Sequence, residues 1–210
     1  MLLLVAAVSI FGHLADEVMD QDAITVLDLQ IANWFNTHHA EPYTSFLMAI
    51  SIIHKVGGMI VLVGLLGYWF WRQGQRYWLA ALAVTVLPGM ILNVLLKQVY
   101  QRSRPVFEEP LVTLATYSFP SGHTAAATLF YGLLASYLVI ACKGWSVRLA
   151  TAALCVLMIC LVAFSRVYLG AHYLSDVLAA MASSVAWLTI CITAISTLRR
   201  RREARSLASD

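Results

Sequence analysis

Five apolar runs, at residues 44–71, 78–96, 124–142, 147–164 and 177–198, follow one another along the chain with polar connections between them. Each is long enough to cross a hydrocarbon core about 30 Å thick, which takes roughly 20 helical residues. Hydrocarbon offers no partner for backbone polar groups, so such runs must bond internally as helices. Hydrophobic residues make up 60% of the sequence and charged residues 12%, a composition that excludes an ordinary soluble domain. The 210 residues form one bundle of about six helices, with no room for a second domain.

The expected fold class is therefore all-α: a polytopic membrane protein with six transmembrane helices in one bundle. It divides into a short first span (1–15), an outer interfacial segment (16–45), five further spans (46–198) and a basic cytoplasmic tail (199–210). Residues 1–14 would make only about 21 Å of helix. No basic stretch precedes them and the cleavage site near Ala15 is poor, so a membrane helix with a shortened or trimmed amino terminus is preferred to a signal peptide. In the next segment Ile24, Leu27, Ile31, Trp34 and Phe35 recur at helical spacing, which suits a helix lying along the interface.

Charge is segregated between alternate connections. Arg72, Arg76, Lys143, Arg148 and the cluster Arg199, Arg200, Arg201, Arg202 and Arg205 lie on one side. Asp16, Glu17, Asp20, Asp22, Asp28, Glu41, Glu108 and Glu109 lie on the other. The positive-inside rule assigns the first set to the cytoplasm. In a bacterium this predicts the inner membrane, with the outer connections facing the periplasm or cell exterior. The net charge of +3 is too small to suggest a nucleic-acid partner.

Three outer connections carry phosphate-binding chemistry. Residues 97–105, KQVYQRSRP, end one span with Lys97, Arg102 and Arg104. Residues 120–124, PSGHT, open another: Pro120 and Ser121 make a helix start, Gly122 allows close approach of backbone to ligand, and the helix end favours an anion beside His123. Residues 165–176, SRVYLGAHYLSD, put Arg166, His172 and Asp176 between two spans. If the chain is helical from Ala171, His172 and Asp176 share a face, and the carboxylate holds one imidazole nitrogen while the other is left for nucleophilic attack. Arg166 could clamp two phosphate oxygens. A structural Arg–Asp pair in a surface loop is the plainer reading of that stretch alone.

Taken together, the three stretches resemble the signature of the type 2 phosphatidic acid phosphatase family, which includes vanadium haloperoxidases and bacterial acid phosphatases. That signature is Lys, six residues, Arg-Pro; then Pro-Ser-Gly-His; then Ser-Arg, five residues, His, three residues, Asp. It is met by Lys97, Arg104 and Pro105; by Pro120, Ser121, Gly122 and His123; and by Ser165, Arg166, His172 and Asp176. The resemblance implies a metal-independent phosphatase without cofactor, whose partners are a lipid phosphate or pyrophosphate and the surrounding membrane lipids. It implies His172 as the nucleophile of a phosphohistidine intermediate, Asp176 as its orienting carboxylate and His123 as the acid for the leaving oxygen. Lys97, Arg104, Ser121, Gly122 and Arg166 would bind the phosphate. Substrates in the family include phosphatidylglycerophosphate, phosphatidate and undecaprenyl pyrophosphate. A lipid phosphotransferase using the same site and a non-catalytic lipid-phosphate transporter are the alternatives.

Other residues carry plainer expectations. Cys142, Cys155, Cys160 and Cys191 have neither zinc-site spacing nor a place in an outer loop, and are read as packing residues. His54, Lys55, Gly57 and Gly58 interrupt the run at 44–71; Lys55 reads as a snorkelling side chain that could reach the site. Pro88 and Gly89 predict a kink and Asn93 an interhelical hydrogen bond. His38 and His39 read as solvated, and Arg102 is undecided between a phosphate role and none.

Overall fold

The computed structural model describes the backbone of residues 1–209 and the side chains of residues 1–201. Its helices are α1 (Leu2–Met19), α2 (Ala23–Thr37), α3 (Tyr43–Ile53), α4 (Val56–Arg72), α5 (Arg76–Tyr100), α6 (Gly122–Ala141), α7 (Trp145–Tyr168) and α8 (Leu174–Ser209). Among the described residues there is no strand. Helices α1, α5, α6, α7 and the Leu174–Arg201 part of α8 are each long and apolar enough to cross a membrane. Helices α3 and α4 qualify only as a pair bent by 59°, which makes the sixth span.

The run at 44–71 is thus a broken span. His54 closes α3 and Lys55, in extended backbone, opens α4. A Cβ at Gly58 would lie 1.8 Å from the carbonyl oxygen of Ile53, so only glycine lets the two helices meet so closely. The first span is longer than the expected 1–15. Leu14, Ala15 and Val18 pack with Phe119 and with Ala179 of α8, which carries the helix past the acidic pair Asp16 and Glu17. The basic segment from Arg199 continues the last helix: α8 stays helical through Ser209, and Arg199 stands 5.8 Å over the ring of Tyr77 at the start of α5. The side chains of Arg202 and Arg205 lie outside the described residues.

Helix α6 packs against α5, α7 and α8. Buried Ala125, Ala126 and Ala127 on α6 and Ala179, Ala180 and Ala182 on α8 keep both helix surfaces small enough for close approach. Below them Phe70, Leu82, Val86, Leu129 and Leu133 form an apolar core. Pro88 lies inside an unbroken α5, although proline removes the N–H that would bond to the Val84 carbonyl. Neighbouring α8 serves this stretch instead: Cys191 Sγ lies 3.8 Å from the Val84 carbonyl oxygen, and Trp187 Nε1 donates to that of Thr85 at 3.1 Å. Because α5 to α8 alternate in direction, the end of α5, the start of α6, the end of α7 and the start of α8 fall at one end of the bundle.

Candidate active site

The turn between α7 and α8 sets the geometry at that end. Gly170 follows the helix with φ +65°, and the chain reverses through bonds from the Gly170 N–H to the Val167 carbonyl and from the Ala171 N–H to the Arg166 carbonyl, both 3.0 Å. A Cβ at Gly170 would also come within 2.7 Å of the Phe107 ring. His172 therefore lies in the turn, before α8 begins, and does not share a helical face with Asp176 as the spacing predicts. The two meet because Asp176, in the first turn of α8, reaches back. Its Oδ2 accepts the Tyr173 N–H at 2.9 Å, the carboxylate half of a capping box, and lies 3.3 Å from His172 Nδ1.

The other imidazole nitrogen fixes the tautomer. Arg104 Nη1 lies 3.1 Å from His172 Nε2, and a guanidinium can only donate. Nε2 therefore carries the lone pair and Nδ1 the proton given to Asp176. Burial lowers the pKa of His172 from 6.5 to about 3, against the upward pull of Asp176, so the imidazole is neutral near pH 7.

Two of the predicted cations are tied to one loop. Lys97 Nζ donates to the carbonyls of Tyr117 at 2.6 Å and Ser118 at 3.2 Å. Arg104 donates through Nε to the Thr116 carbonyl at 2.6 Å, through Nη2 to the Tyr117 carbonyl at 3.1 Å, and through Nη1 to the Ala171 carbonyl at 2.6 Å. Both side chains border a cavity of about 720 Å³ whose apolar wall includes Val94, Val106, Phe107 and Leu114.

Ser121 is the N-cap residue of α6, as its sequence predicts, yet its side chain does not cap. Its Oγ accepts from Thr124 Oγ1 at 3.1 Å, and its N–H donates to the Asp176 carbonyl at 3.1 Å, tying α6 to α8. Gly122 and His123 occupy the first turn, where backbone N–H groups have no partner within the helix. A Cβ at Gly122 would make only ordinary contacts, 3.5 Å to Asn93 Oδ1 and 4.0 Å to Lys97 Cε. Protein packing alone therefore does not demand glycine there. His123 lies within electrostatic range of Arg166 and His172. Its Nε2 is buried without a hydrogen-bond partner among the described residues, as are Nε and Nη2 of Arg166. Arg166 is 1% exposed, and its Nη1 donates to Ser51 of α3.

All eight residues to which the resemblance gives a catalytic or phosphate-binding role thus lie at one end of the bundle. Arg102 borders the same cavity, but its guanidinium is held by carboxylates: Nη1 donates to Asp176 Oδ1 and to Ser175 Oγ, both at 2.7 Å, and Nη2 to Asp28 Oδ2 at 2.8 Å. Burial works against its charge, but Asp176 and Asp28 outweigh that and raise its pKa. Asp28, read from sequence as a charge of an outer connection, is 1% exposed. Its signal was present, since it stands between Ile24 and Ile31 on the side of α2 that also carries buried Ala32. Ser51 and Ser175 gave no comparable signal. His54 is a buried packing group, its Nδ1 2.8 Å from the Ile50 carbonyl and its Nε2 3.0 Å from the Tyr131 hydroxyl. Asn93 Nδ2 lies 3.5 Å from the Pro120 carbonyl, bracing the start of α6.

Comparison with known proteins bears on the family and the fold. The family model described as PAP2 superfamily matches residues 76–200. Phosphatidylglycerophosphatase B of Bacillus subtilis (strain 168) is 36% identical over 126 residues, which cover 57% of this chain and 58% of that protein. The crystal structure of the transmembrane PAP2-type phosphatidylglycerolphosphate phosphatase from Bacillus subtilis superposes with a TM-score of 0.85 at 25% identity, over 94% of this chain and 98% of that one. The crystal structure of Aquifex aeolicus LpxE has a similar fold, with a TM-score of 0.65 at 19% identity over 80% of this chain and 95% of that one.

Proposed function

The chain belongs to the PAP2 superfamily, and on that premise we propose that it is a membrane lipid phosphatase cleaving a phosphomonoester or pyrophosphate of the phosphatidylglycerophosphate, phosphatidate or undecaprenyl pyrophosphate type. The observation that carries this reading is the state of His172. It is a buried neutral imidazole with Nδ1–H held by Asp176 and the Nε2 lone pair turned toward the Arg104 guanidinium.

Substrate phosphate first draws Arg104 off Nε2 and onto its own oxygens. Lys97, Arg166, the Ser121 hydroxyl and the Gly122 N–H complete the cradle and neutralise charge without a metal ion or cofactor. Nε2 attacks phosphorus as the bond to the lipid oxygen breaks, and His123 gives that oxygen its proton. Asp176 stabilises the positive imidazole ring of the phosphohistidine. Water then attacks phosphorus, His123 takes the water proton, and inorganic phosphate leaves with His172 regenerated. The charge segregation supports a site on the periplasmic or exterior face of a bacterial inner membrane.

The test is phosphate release from a panel of lipid phosphates and pyrophosphates in detergent without added metal, with trapping of the phosphoenzyme by an alkaline denaturing quench. Phosphate release together with acid-labile label at His172 is expected. Transfer of the phosphoryl group to another lipid would make the protein a phosphotransferase. Binding without cleavage across the panel would refute the enzymatic reading.

A further inference from the structure

Asp28 belongs to α2, outside the stretches that carry the family signature, yet it is buried against the start of α8. Its Oδ1 accepts the Ser175 N–H at 3.0 Å. Its Oδ2 accepts Arg102 Nη2 at 2.8 Å and the Ser175 hydroxyl. Arg102 in turn bridges to Asp176 Oδ1 at 2.7 Å and stacks 4.3 Å over the ring of Tyr173. Asp28, Arg102 and Asp176 thus form a continuous chain of charge that ends on His172 Nδ1.

We propose that Asp28 is a positioning residue for phosphoryl transfer: by neutralising Arg102 it leaves the Asp176 charge available to His172. The inference rests on the phosphohistidine reading above. With one guanidinium and one carboxylate, the cluster behind the imidazole would be neutral. Arg102 would then compete for the charge that must stabilise the ring when Nε2 bonds to phosphorus. With Asp28 the cluster carries one net negative charge, matching the positive charge the ring acquires. Asp28 also fixes where that charge sits, because Ser175 adjoins Asp176 and is bonded to Asp28 through both backbone and side chain.

Asp28→Asn keeps the shape and removes the charge. Three measurements are made on the detergent-solubilised full chain with one lipid phosphate that the wild type cleaves: kcat and KM, inhibition by vanadate, and inhibition by inorganic phosphate. Vanadate reports the five-coordinate arrangement bonded to His172, whereas phosphate reports the ground-state cradle. The expected result is a kcat lower by about 10- to 100-fold, the loss typical when a partner of an orienting group is removed. KM should stay within about twofold, vanadate affinity should weaken in proportion to kcat/KM, and phosphate affinity should not change. A purely structural role would lower the active fraction and leave both inhibition constants alone. A vanadate constant equal to wild type, or equal weakening of vanadate and phosphate, would overturn the proposal.

If Asp28→Asn does not accumulate folded, the double variant with Arg102→Gln carries the test, because it removes both members of a charge pair. Folded protein with vanadate affinity within about threefold of wild type supports charge balance; folded protein with vanadate affinity lost, or again no folded protein, overturns it. Wild type that neither cleaves any substrate nor binds vanadate would sink the phosphatase reading itself. Active, vanadate-sensitive wild type beside an unaffected Asp28→Asn sinks only the role of Asp28.

Discussion

Replacing Gly170 with alanine should injure stability and chemistry together, and the structure separates the causes. The φ of +65° costs a residue with a Cβ about 1–2 kcal/mol. The new Cβ would stand 2.7 Å from Phe107 Cε2, so the ring must leave its rotamer, at about 0.5–1.5 kcal/mol. The two together come to about 1.5–3.5 kcal/mol, which for a chain of this size lowers Tm by about 3–14 °C. Because the Ala171 carbonyl holds Arg104 and the next residue is His172, the first phosphate-transfer step should slow as well. Misplacement of a reacting group by about 1 Å can cost 100-fold. The assay is thermal unfolding in detergent of wild type, Gly170→Ala, Phe107→Ala and the double variant, with single-turnover rates for each. Gly170→Ala should be less damaging by about 1 kcal/mol in the Phe107→Ala background, where the clash is gone and only the backbone strain persists. A Tm for Gly170→Ala within a degree of wild type would refute the whole argument, and equal damage in both backgrounds would refute the clash.

The remaining expectations concern protons, metal and orientation. His172 has its folded pKa lowered to about 3 from 6.5, so between those values the unfolded chain takes up a proton that the folded chain refuses. Its contribution to stability is therefore present above pH 6.5 and is lost as pH falls toward 3; Tm measured across that window should fall, and less steeply in His172→Asn. His172→Ala should abolish phosphoenzyme formation with every substrate. His123→Ala should cost the first transfer step about 10² to 10⁴ with a lipid monoester and clearly less with a pyrophosphate or aryl phosphate, whose leaving oxygens need a proton less; equal losses would mean that His123 positions phosphate instead. Activity should survive a chelator and yield to vanadate, since Lys97, Arg104 and Arg166 supply the positive charge; full chelator sensitivity restored by magnesium would count against this mechanism. A cysteine placed at Glu108 should react with an impermeant reagent from outside intact cells and one at Arg76 should not, and the opposite pattern would invert the assigned orientation.

The spans were legible because apolar length and charge segregation survive in one dimension. The helix starting at Ser121 was legible too, since proline and serine act on the backbone locally. What the sequence concealed depended on partners distant along the chain. The side of α2 that Asp28 shares with Ile24 and Ile31 pointed to its burial but not to its partner, since Ser175 comes within 3.0 Å only when α2 folds against α8. Arg102 and Arg104 are alike in the sequence, and only the surrounding carboxylates direct one toward Asp176 and leave the other at His172. The His172–Asp176 contact was foreseen, but through a helical register that does not exist; Gly170 makes the turn that replaces it. The overlong run at 44–71 showed its interruption, though the bend itself follows from the contact between residue 58 and the Ile53 carbonyl.

That bend divides the mechanical duties of one membrane crossing. The upper piece, α3, packs on α7 and carries Ser51 against Arg166, while the lower piece, α4, packs on α5. Bilayers of different thickness press helices to tilt by different amounts. A straight rod would carry such a tilt along its full length to the arginine, whereas the 59° break at His54 and Lys55 sets α3, with Ser51 against Arg166, on a different axis from α4.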